Sequence, residues 1–252
     1  MTLWEALLLA IVEGLTEFLP ISSTGHLILV STWLGKEKDT FFQDYEIIIQ
    51  GGAILAVIVY SWRNLWQITL YPKITLAFLP TAAIGFIAKD FVTQLLGAPE
   101  VVAINLLLGG IVLVFLDRWL PGGEEDMNSL SWKKSAIVGL VQSLSLLPGV
   151  SRAAAALVGS RWVGLEKKAA AQFSFLIAVP TLLAASLYRL WKGATHFTSD
   201  QIPLLLLGSG VAFAVGLLSM HLLISLWQRF GLAPLGVYRI LLGAIVLLWL
   251  HR

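Results

Sequence analysis

Two glutamates, Glu13 and Glu17, stand four residues apart in an otherwise apolar segment of the sequence. On a helix, this spacing places both carboxylates on one face. A charged side chain in an apolar helix is costly, so we interpret the pair as functional. It could hold a divalent cation, Mg²⁺ or Ca²⁺, together with substrate phosphate oxygens, or act as an acid–base pair without a metal. The alternative is that both glutamates reach water near a helix end.

Three hydroxyl side chains, Ser22, Ser23 and Thr24, follow Pro20 at the expected start of a new helix. Free backbone N–H groups at a helix start favour an anion, so these hydroxyls could bind or attack a phosphate. His26 follows Ser23 by three residues and could reach the hydroxyl of Ser22 or Ser23 as its base. The alternatives are a simple helix cap for one hydroxyl and a hydrogen-bonded interior position for the histidine.

A second group of polar residues comes after Pro148: Ser151 and Arg152 precede another apolar helix. An arginine inside a membrane needs a partner, and a phosphate held by bidentate hydrogen bonds is the natural one. Without substrate, the alternative partner is Glu13 or Glu17.

Three further polar residues are less distinctive. Gln142 and Gln50 could contact the site or form ordinary hydrogen bonds between helices. Arg239 follows Tyr238, and we expect it to be an anchor at the membrane interface rather than a ligand.

The composition points to a membrane protein. Of 252 residues, 58% are hydrophobic and 13% are charged, whereas soluble domains carry roughly 25% charged residues. Cysteine is absent, which excludes disulfides, thiolate nucleophiles and cysteine-ligated metals. The net charge of +2 provides no basic face of the kind that nucleic acid requires.

Six apolar runs are long enough, or nearly so, to cross a bilayer, since a span needs about 20 apolar residues. We predict them at residues 45–61, 74–88, 101–119, 169–190, 203–227 and 235–250.

Two other apolar segments are too short to cross comfortably, and each stops at a proline before a second short helix. We predict re-entrant helical hairpins at residues 3–19 with 27–34 and at residues 135–147 with 153–162. Broken backbone at membrane depth is tolerated only inside protein or along a wet cavity. Both tips therefore indicate a site within the bundle.

One hairpin followed by three spans occurs in residues 1–120 and again in residues 131–252, with a linker at residues 121–126. Because three spans is an odd number, the second copy would be inverted relative to the first. The predicted fold is thus an all-α integral membrane protein, one membrane domain built from an inverted-topology repeat. Basic residues number six on one face and nine on the other, which places the termini outside the cytoplasm by the positive-inside rule.

The run from Glu13 to His26, together with Pro148-Gly149-Val150-Ser151-Arg152, resembles the bacterial undecaprenyl-diphosphate phosphatase family associated with bacitracin resistance. Similar stretches at residues 49–57, 172–175 and 238–243 extend the resemblance over nearly the whole chain.

The resemblance implies a hydrolase that converts a C55 polyprenyl diphosphate to the monophosphate carrier of cell-wall synthesis. It also implies a divalent-cation requirement and a site in the bacterial plasma membrane that opens to the outer face. The residues that match the family's functional positions are Glu13, Glu17, Ser23, His26 and Arg152, with Ser22 and Ser151 close behind.

The chain departs from the family at one place. Where the family commonly continues Ser-Arg-Ser-Gly-x-Thr, Ser151-Arg152 is followed here by four alanines, residues 153–156. Two hydroxyls are therefore missing from the second motif, which places its contacts in more doubt than those of the first.

Phosphoryl transfer depends mainly on positioning and charge stabilisation. We hypothesise that Arg152 and two helix N-termini hold the diphosphate, that Glu13 and Glu17 hold the metal, and that Ser23 attacks with His26 as its base. Attack by water bound to His26 is the main variant. The rival from another class is a polyprenyl-phosphate transporter or flippase of the same architecture. Expected partners are the lipid substrate and membrane lipids, and the oligomeric state is open, with a homodimer as one option.

Overall fold

The computed structural model describes residues 1–96, 98–120, 123–192, 198 and 200–251, and every named element in them is helical. The helices, in chain order, are α1 (Leu3–Phe18), α2 (Ser23–Trp33), α3 (Thr40–Tyr60), α4 (Trp62–Leu65), α5 (Tyr71–Ile87), α6 (Lys89–Leu96), α7 (Pro99–Trp119), α8 (Trp132–Gln142), α9 (Arg152–Trp162), α10 (Lys167–Lys192), α11 (Ile202–Phe230) and α12 (Ala233–Leu250). Short 3₁₀ turns precede α5 (Ile68–Leu70) and follow α8 (Ser143–Leu146).

Six of these helices, within the described residues, are long and apolar enough to span a membrane: α3, α5 with its preceding turn, α7, α10, α11 and α12. They match the six predicted spans one for one, so that prediction is confirmed. Two spans begin well before their predicted starts: the second at Ile68, six residues early, and α3 at Thr40, five residues early. The α3 case has a clear cause. Its start is set by Asp39, whose carboxylate accepts from the amides of Phe41 and Phe42.

Two helix pairs are interrupted where the sequence predicts. Helix α1 ends at Phe18 and α2 begins at Ser23, because Pro20 lies between them. Helix α8 continues as a 3₁₀ turn to Leu146, and α9 begins four residues after Pro148. That each pair enters and leaves the membrane on one side stays a prediction.

Corresponding helices of the two halves make corresponding contacts. Helix α1 packs on α11, and α8 packs on α5; α3 also packs on α11, and α10 on α5. Helices α7 and α12, which end the two halves, pack on each other. Each half thus packs two of its helices on a long helix of the other half, as two interlocked copies would. The inverted repeat itself stays a prediction.

The structure describes residues 123–126 of the predicted linker between the halves. Pro121 and Gly122, which open the predicted linker, lie outside the described residues. Further along, Glu125 exchanges backbone hydrogen bonds with Gly164 and Glu166, so the linker is attached to the turn between α9 and α10.

Two basic residues in the count used for membrane orientation do not face an interface. Lys73 is buried and donates to the carbonyls of Met127 and Asn128, at 3.1 and 2.7 Å. Arg161 is buried and donates to the carbonyls of Leu165 and Leu120. Both side chains satisfy backbone groups, so the six-to-nine count overstates the charge difference, and the orientation stays untested.

The contact between α3 and α11 is close because Gly52 has no side chain. A Cβ at Gly52 would lie 2.9 Å from the carbonyl carbon of Ser209 and 3.1 Å from the amide nitrogen of Phe213. Backbone cannot yield as a flexible side chain can, so the helices would have to separate. A Cβ at the preceding residue, Gly51, would meet nothing within 4 Å.

The two neighbouring glycines therefore form a matched test of helix packing. We expect Gly52→Ala to lower stability by about 1–3 kcal/mol through overpacking. Gly51→Ala should leave the midpoint of thermal unfolding in detergent unchanged or slightly higher, since alanine is the better helix former. Equal midpoints for the two variants would contradict the described contact.

Candidate active site

Glu17, near the end of α1, is the point at which the two interrupted helix pairs meet. One carboxylate oxygen, Oε1, accepts from Nη2 and Nε of Arg152, at 2.9 and 3.3 Å. The other, Oε2, accepts from the hydroxyl of Ser23 at 2.5 Å. Ser23 is the first residue of α2 and Arg152 the first residue of α9. A single buried carboxylate thus joins the N-termini of both second helices.

The guanidinium of Arg152 is held from a third direction by α10. Its Nη1 donates to the backbone carbonyl of Ser174 at 2.9 Å and to the Ser174 hydroxyl at 3.4 Å. Its Nη2 also donates to the backbone carbonyl of Glu17 at 3.2 Å. The ion pair is nearly dry, with the side chains of Arg152 and Glu17 exposed by 9% and 4%. The predicted alternative, a carboxylate partner for Arg152 in the absence of substrate, is what the structure contains.

Both helix breaks use the same local device. Ser22 and Ser151 have φ of 75° and 77°, the left-handed region that residues other than glycine rarely adopt. Each hydroxyl accepts from the amide three residues on, Gly25 for Ser22 and Ala154 for Ser151. Strain of this kind costs about 1–3 kcal/mol and is characteristic of functional sites. The geometry gives these two predicted ligands a capping role and leaves Ser23 as the hydroxyl that faces Glu17.

His26 is not paired with a serine hydroxyl, so the predicted Ser23–His26 contact is absent from this structure. Its Nδ1–H donates to the backbone carbonyl of Ser22 at 2.7 Å, because a carbonyl can only accept. Nε2 of the neutral ring then accepts from the hydroxyl of Tyr238 at 2.7 Å. The two rings are stacked, with centroids 5.7 Å apart. The ring nitrogen of His26 binds the carbonyl of Ser22, four residues earlier, instead of the Ser23 hydroxyl. The base that the Ser23 hydroxyl does contact is Glu17.

Glu13 lies one helical turn before Glu17 and is completely buried. Neither of its carboxylate oxygens has a hydrogen-bond partner among the described residues. Glu13 therefore has no exposed surface through which to reach bulk water, contrary to that alternative. A buried carboxylate without a partner is costly, and its chemistry suits a cation.

A metal held by protein ligands alone has little support in this part of the chain. In the residues that the structure describes, no three histidine, aspartate or glutamate side chains are grouped as a metal cage. Magnesium, however, usually binds one or two carboxylates and completes its shell with water and phosphate oxygens. Glu13, with Glu17 beside it, fits that kind of site.

Three other predicted ligands lie apart from Glu17. Gln142 donates to the hydroxyls of Thr81 and Thr181, at 3.2 and 3.3 Å, and so links α8 to α5 and α10. Gln50 accepts from Ser186 at 3.5 Å, between α3 and α10. These contacts match the alternative prediction of ordinary hydrogen bonds between helices. Thr24, the residue after Ser23, is exposed, outside the buried cluster around Glu17.

The four alanines after Arg152 are all buried. They therefore pack against neighbouring helices and offer no polar atom beyond the backbone. From the second motif, Arg152 reaches Glu17 and Ser151 caps α9.

Arg239 is fully buried, and its prediction as an interfacial anchor is wrong. The guanidinium points inward and donates to backbone carbonyls at both helix breaks, including Pro20 at 2.9 Å and Gly149 at 2.9 Å. An arginine near the start of a long apolar helix suits either position by sequence. The unpaired carbonyls that the breaks create decide between them.

Three residues that support the site were not predicted to do so: Ser174 and Tyr238 had no predicted role, and Arg239 was predicted to be an interfacial anchor. Each lies in a stretch that carries the family resemblance, at residues 172–175 or 238–243. The usable sign was a polar residue well inside an apolar span, the same criterion that identified Glu13.

Six apolar helices and a buried cluster of acids, hydroxyls and an arginine define a multi-pass membrane protein with a polar site inside its helix bundle. Residues 6–245 match the model of the bacitracin resistance protein BacA family. The chain therefore belongs to this family.

Curated relatives cover almost all of the chain. It is 44% identical to an undecaprenyl-diphosphatase of Bdellovibrio bacteriovorus, over 100% of this chain and 97% of the relative. Similar proteins of the same name come from Persephonella marina, 41% identical over 97% of this chain and 98% of the relative, and from Flavobacterium johnsoniae, 39% identical over 97% and 94%.

The buried ion pair between Arg152 and Glu17 predicts non-additive effects on stability. Arg152→Met leaves a buried carboxylate without its cation, which should cost about 3–5 kcal/mol. Glu17→Gln added to that variant removes the unpaired charge, so the double variant should be more stable than Arg152→Met alone. Thermal unfolding in detergent measures both. Stability losses that simply add would show that the two side chains are not coupled.

Proposed function

We propose that the protein is a membrane hydrolase that cleaves undecaprenyl diphosphate to undecaprenyl phosphate and inorganic phosphate. One observation carries the proposal: Glu17 brings a phosphate-binding guanidinium and an attacking hydroxyl to the two sides of one carboxylate. The names of the curated relatives support the same reaction. The product is the lipid carrier of cell-wall synthesis, and its recycling accounts for the link to bacitracin resistance.

The anionic end of the substrate is bound by charge and helix ends. Arg152 can form bidentate hydrogen bonds with phosphate oxygens, because a guanidinium fits phosphate and carboxylate groups in the same way. The first turns of α2 and α9 meet at Glu17, and helix N-termini favour anions. Substrate entry therefore exchanges part of the Arg152–Glu17 pair for an Arg152–phosphate pair and releases Glu17 for proton transfer.

In the chemical step the Ser23 hydroxyl oxygen attacks the terminal phosphorus. Its proton passes to Oε2 of Glu17, which already accepts that hydrogen bond. The new Oγ–P bond forms as the bond from phosphorus to the bridging oxygen breaks, and undecaprenyl phosphate leaves. Water then attacks the phosphoserine phosphorus, the Oγ–P bond breaks and inorganic phosphate leaves. The proton held by Glu17 returns to the Ser23 oxygen. The base in this account is Glu17, in place of the His26 of the sequence-based hypothesis.

His26 has a supporting position in the same step. Its ring is fixed between the Ser22 carbonyl and Tyr238, one helical turn from Ser23. When a water replaces the Tyr238 hydroxyl at Nε2, the ring can accept a proton from that water and so activate it to hydrolyse the phosphoserine. Direct attack by such a water on the substrate is the variant without a covalent intermediate.

A divalent cation, Mg²⁺ or Ca²⁺, would be held by Glu13 and Glu17. When bound, it neutralises charge on the phosphate oxygens. The partnerless, buried carboxylate of Glu13 supports this assignment. Glu13 contributes by binding and orientation, and the proton chemistry is left to Glu17.

The polyprenyl tail lies in the lipid phase against the apolar helix surfaces. We place the protein in the bacterial plasma membrane with the site open to the outer face, as the family resemblance implies. One chain holds every residue named above, so the proposed reaction does not require a homodimer. A homodimer is compatible with it.

Phosphate release from purified protein in detergent tests the proposed reaction. We expect Glu17→Gln to lower kcat by about 100-fold or more, because it removes a proton acceptor from the chemical step. Ser23→Ala should do the same, whereas Ser31→Ala in the same helix should retain wild-type turnover. Ser31 is a suitable control because its hydroxyl donates to Leu27 within its own helix.

Two results would contradict this account. Ser23→Ala with most of its turnover would exclude the serine as the nucleophile and favour water. Wild-type protein that moves the lipid between leaflets of a vesicle without releasing phosphate would be a transporter.

Cation dependence forms a separate prediction. A chelator should abolish phosphate release by the wild-type protein, and Mg²⁺ or Ca²⁺ should restore it. Glu13→Gln should raise the cation concentration needed for half-maximal activity, since one of two carboxylates is lost. An unchanged cation requirement in Glu13→Gln would remove this residue from the proposed metal site.

A further inference from the structure

Arg239 lies in α12 at the level of both helix breaks, and its side chain is completely buried. A guanidinium has five N–H donors in a rigid, planar fork. Here all five are occupied, and every acceptor is a backbone carbonyl. The acceptors are Pro20 at 2.9 Å, Gly149 at 2.9 Å, Val150 at 3.0 Å, Asn105 at 3.0 Å and Leu106 at 3.4 Å.

These carbonyls belong to three separate parts of the chain. Pro20 lies in the break between α1 and α2, three residues before Ser23. Gly149 and Val150 lie in the break before α9, and Val150 is two residues before Arg152. The remaining two acceptors are in α7. Nη1 alone bridges the breaks, because it donates to both Pro20 and Val150.

Neighbouring residues support this bridge. The side chain of Asn105 donates to the carbonyl of Pro148 at 2.8 Å, so α7 also holds the second break directly. Gly109, one turn further along α7, leaves room for the guanidinium: a Cβ there would lie 2.7 Å from Cζ of Arg239. Tyr238, the residue before Arg239, holds His26.

We propose that Arg239 is a positioning residue that fixes Ser23 and Arg152 at a set distance and orientation by binding the backbone of both helix breaks. This proposal rests on the proposed function for its effect on turnover. Arg239 contacts neither reacting group. It acts through the short backbone segments that lead to Ser23 and to Arg152.

Lysine cannot replace this arrangement. It retains the positive charge but offers three donors from one nitrogen, so at least two of the five carbonyls that surround the three guanidinium nitrogens lose their donor. Arg239→Lys should therefore loosen both breaks without removing the charge, since the fork donates to both of them. Gly109→Ala keeps the arginine but displaces its guanidinium, because the added Cβ would lie 2.7 Å from Cζ. It provides a second variant if the lysine protein does not fold.

Arg161 supplies a matched control. It is also a buried arginine, and it donates to the carbonyls of Leu165, in the turn between α9 and α10, and of Leu120, just after α7. Arg161→Lys should lower thermal stability through the same kind of loss. It should leave the turnover of the folded protein at the wild-type value.

The experiment combines backbone hydrogen exchange with steady-state kinetics on full-length protein in detergent. Arg239→Lys and Gly109→Ala should speed exchange in residues 19–26 and 147–154 together, while Arg161→Lys should speed it near residues 123–125 and 163–166. For the first two variants we expect kcat on undecaprenyl diphosphate to fall roughly 10- to 100-fold with KM within about threefold, because a displacement of about 1 Å at reacting groups costs about 100-fold in rate.

The outcomes separate the two proposals. Wild-type turnover by folded Arg239→Lys, or exchange that rises at only one break, overturns the positioning role. An equal loss of kcat in Arg161→Lys also overturns it, since the effect would then follow general stability. Wild-type protein that releases no phosphate contradicts the proposed function instead, and the exchange pattern then decides the positioning role alone.

Discussion

Two interrupted helices in an apolar bundle create a problem that the rest of this structure solves. Each break leaves backbone carbonyls and amides without partners inside the helix, and such groups are costly when buried away from water. The serines at the breaks cap the following helices, and Arg239 binds the carbonyls that remain. The breaks are thereby brought to one place. Their proximity allows Arg152 from one half to pair with Glu17 from the other.

The charges around the breaks are balanced in a way that leaves room for substrate. Glu17 is paired with Arg152, and Glu13 is buried without a hydrogen-bond partner among the described residues. Buried ion pairs contribute little net stability, because desolvation offsets much of the attraction. Such a pair is consequently inexpensive to exchange for an equivalent contact with phosphate. The same feature that makes Arg152 and Glu17 poor stabilisers makes them suitable for binding and proton transfer.

The membrane spans and the two helix breaks could be predicted from sequence because they follow from the local composition of each segment. Six apolar runs, two prolines and the polar residues after them are local properties, and the spans and interruptions appear where they indicate. Glu13, Glu17, Ser23 and Arg152 could be selected because charged or hydroxyl side chains are rare and costly in such segments. Helix boundaries were less accurate, as at α3, where Asp39 caps the helix earlier than hydrophobicity suggests.

Apart from the pairing of Arg152 with a glutamate of the first segment, the contacts between side chains could not be predicted, because they depend on packing between distant segments. Spacing on one helix favoured His26 as the partner of Ser23, yet the ring is held by Ser22 and by Tyr238, 212 residues away. Arg239 had the sequence context of an interfacial anchor. Only the position of α12 beside α7 and both breaks shows where its guanidinium lies.

Solid-state NMR can measure the meeting of the breaks directly, in membranes and without an assay. With ¹⁵N in arginine guanidinium groups and ¹³C in proline carbonyls, the hydrogen bond to Pro20 should place one labelled carbon about 4 Å from a guanidinium nitrogen. The account predicts this dipolar coupling in the wild-type protein and its loss in Arg239→Lys. An arginine–proline coupling that is the same in both proteins would contradict the claim that Arg239 holds the first break, and with it the shared site.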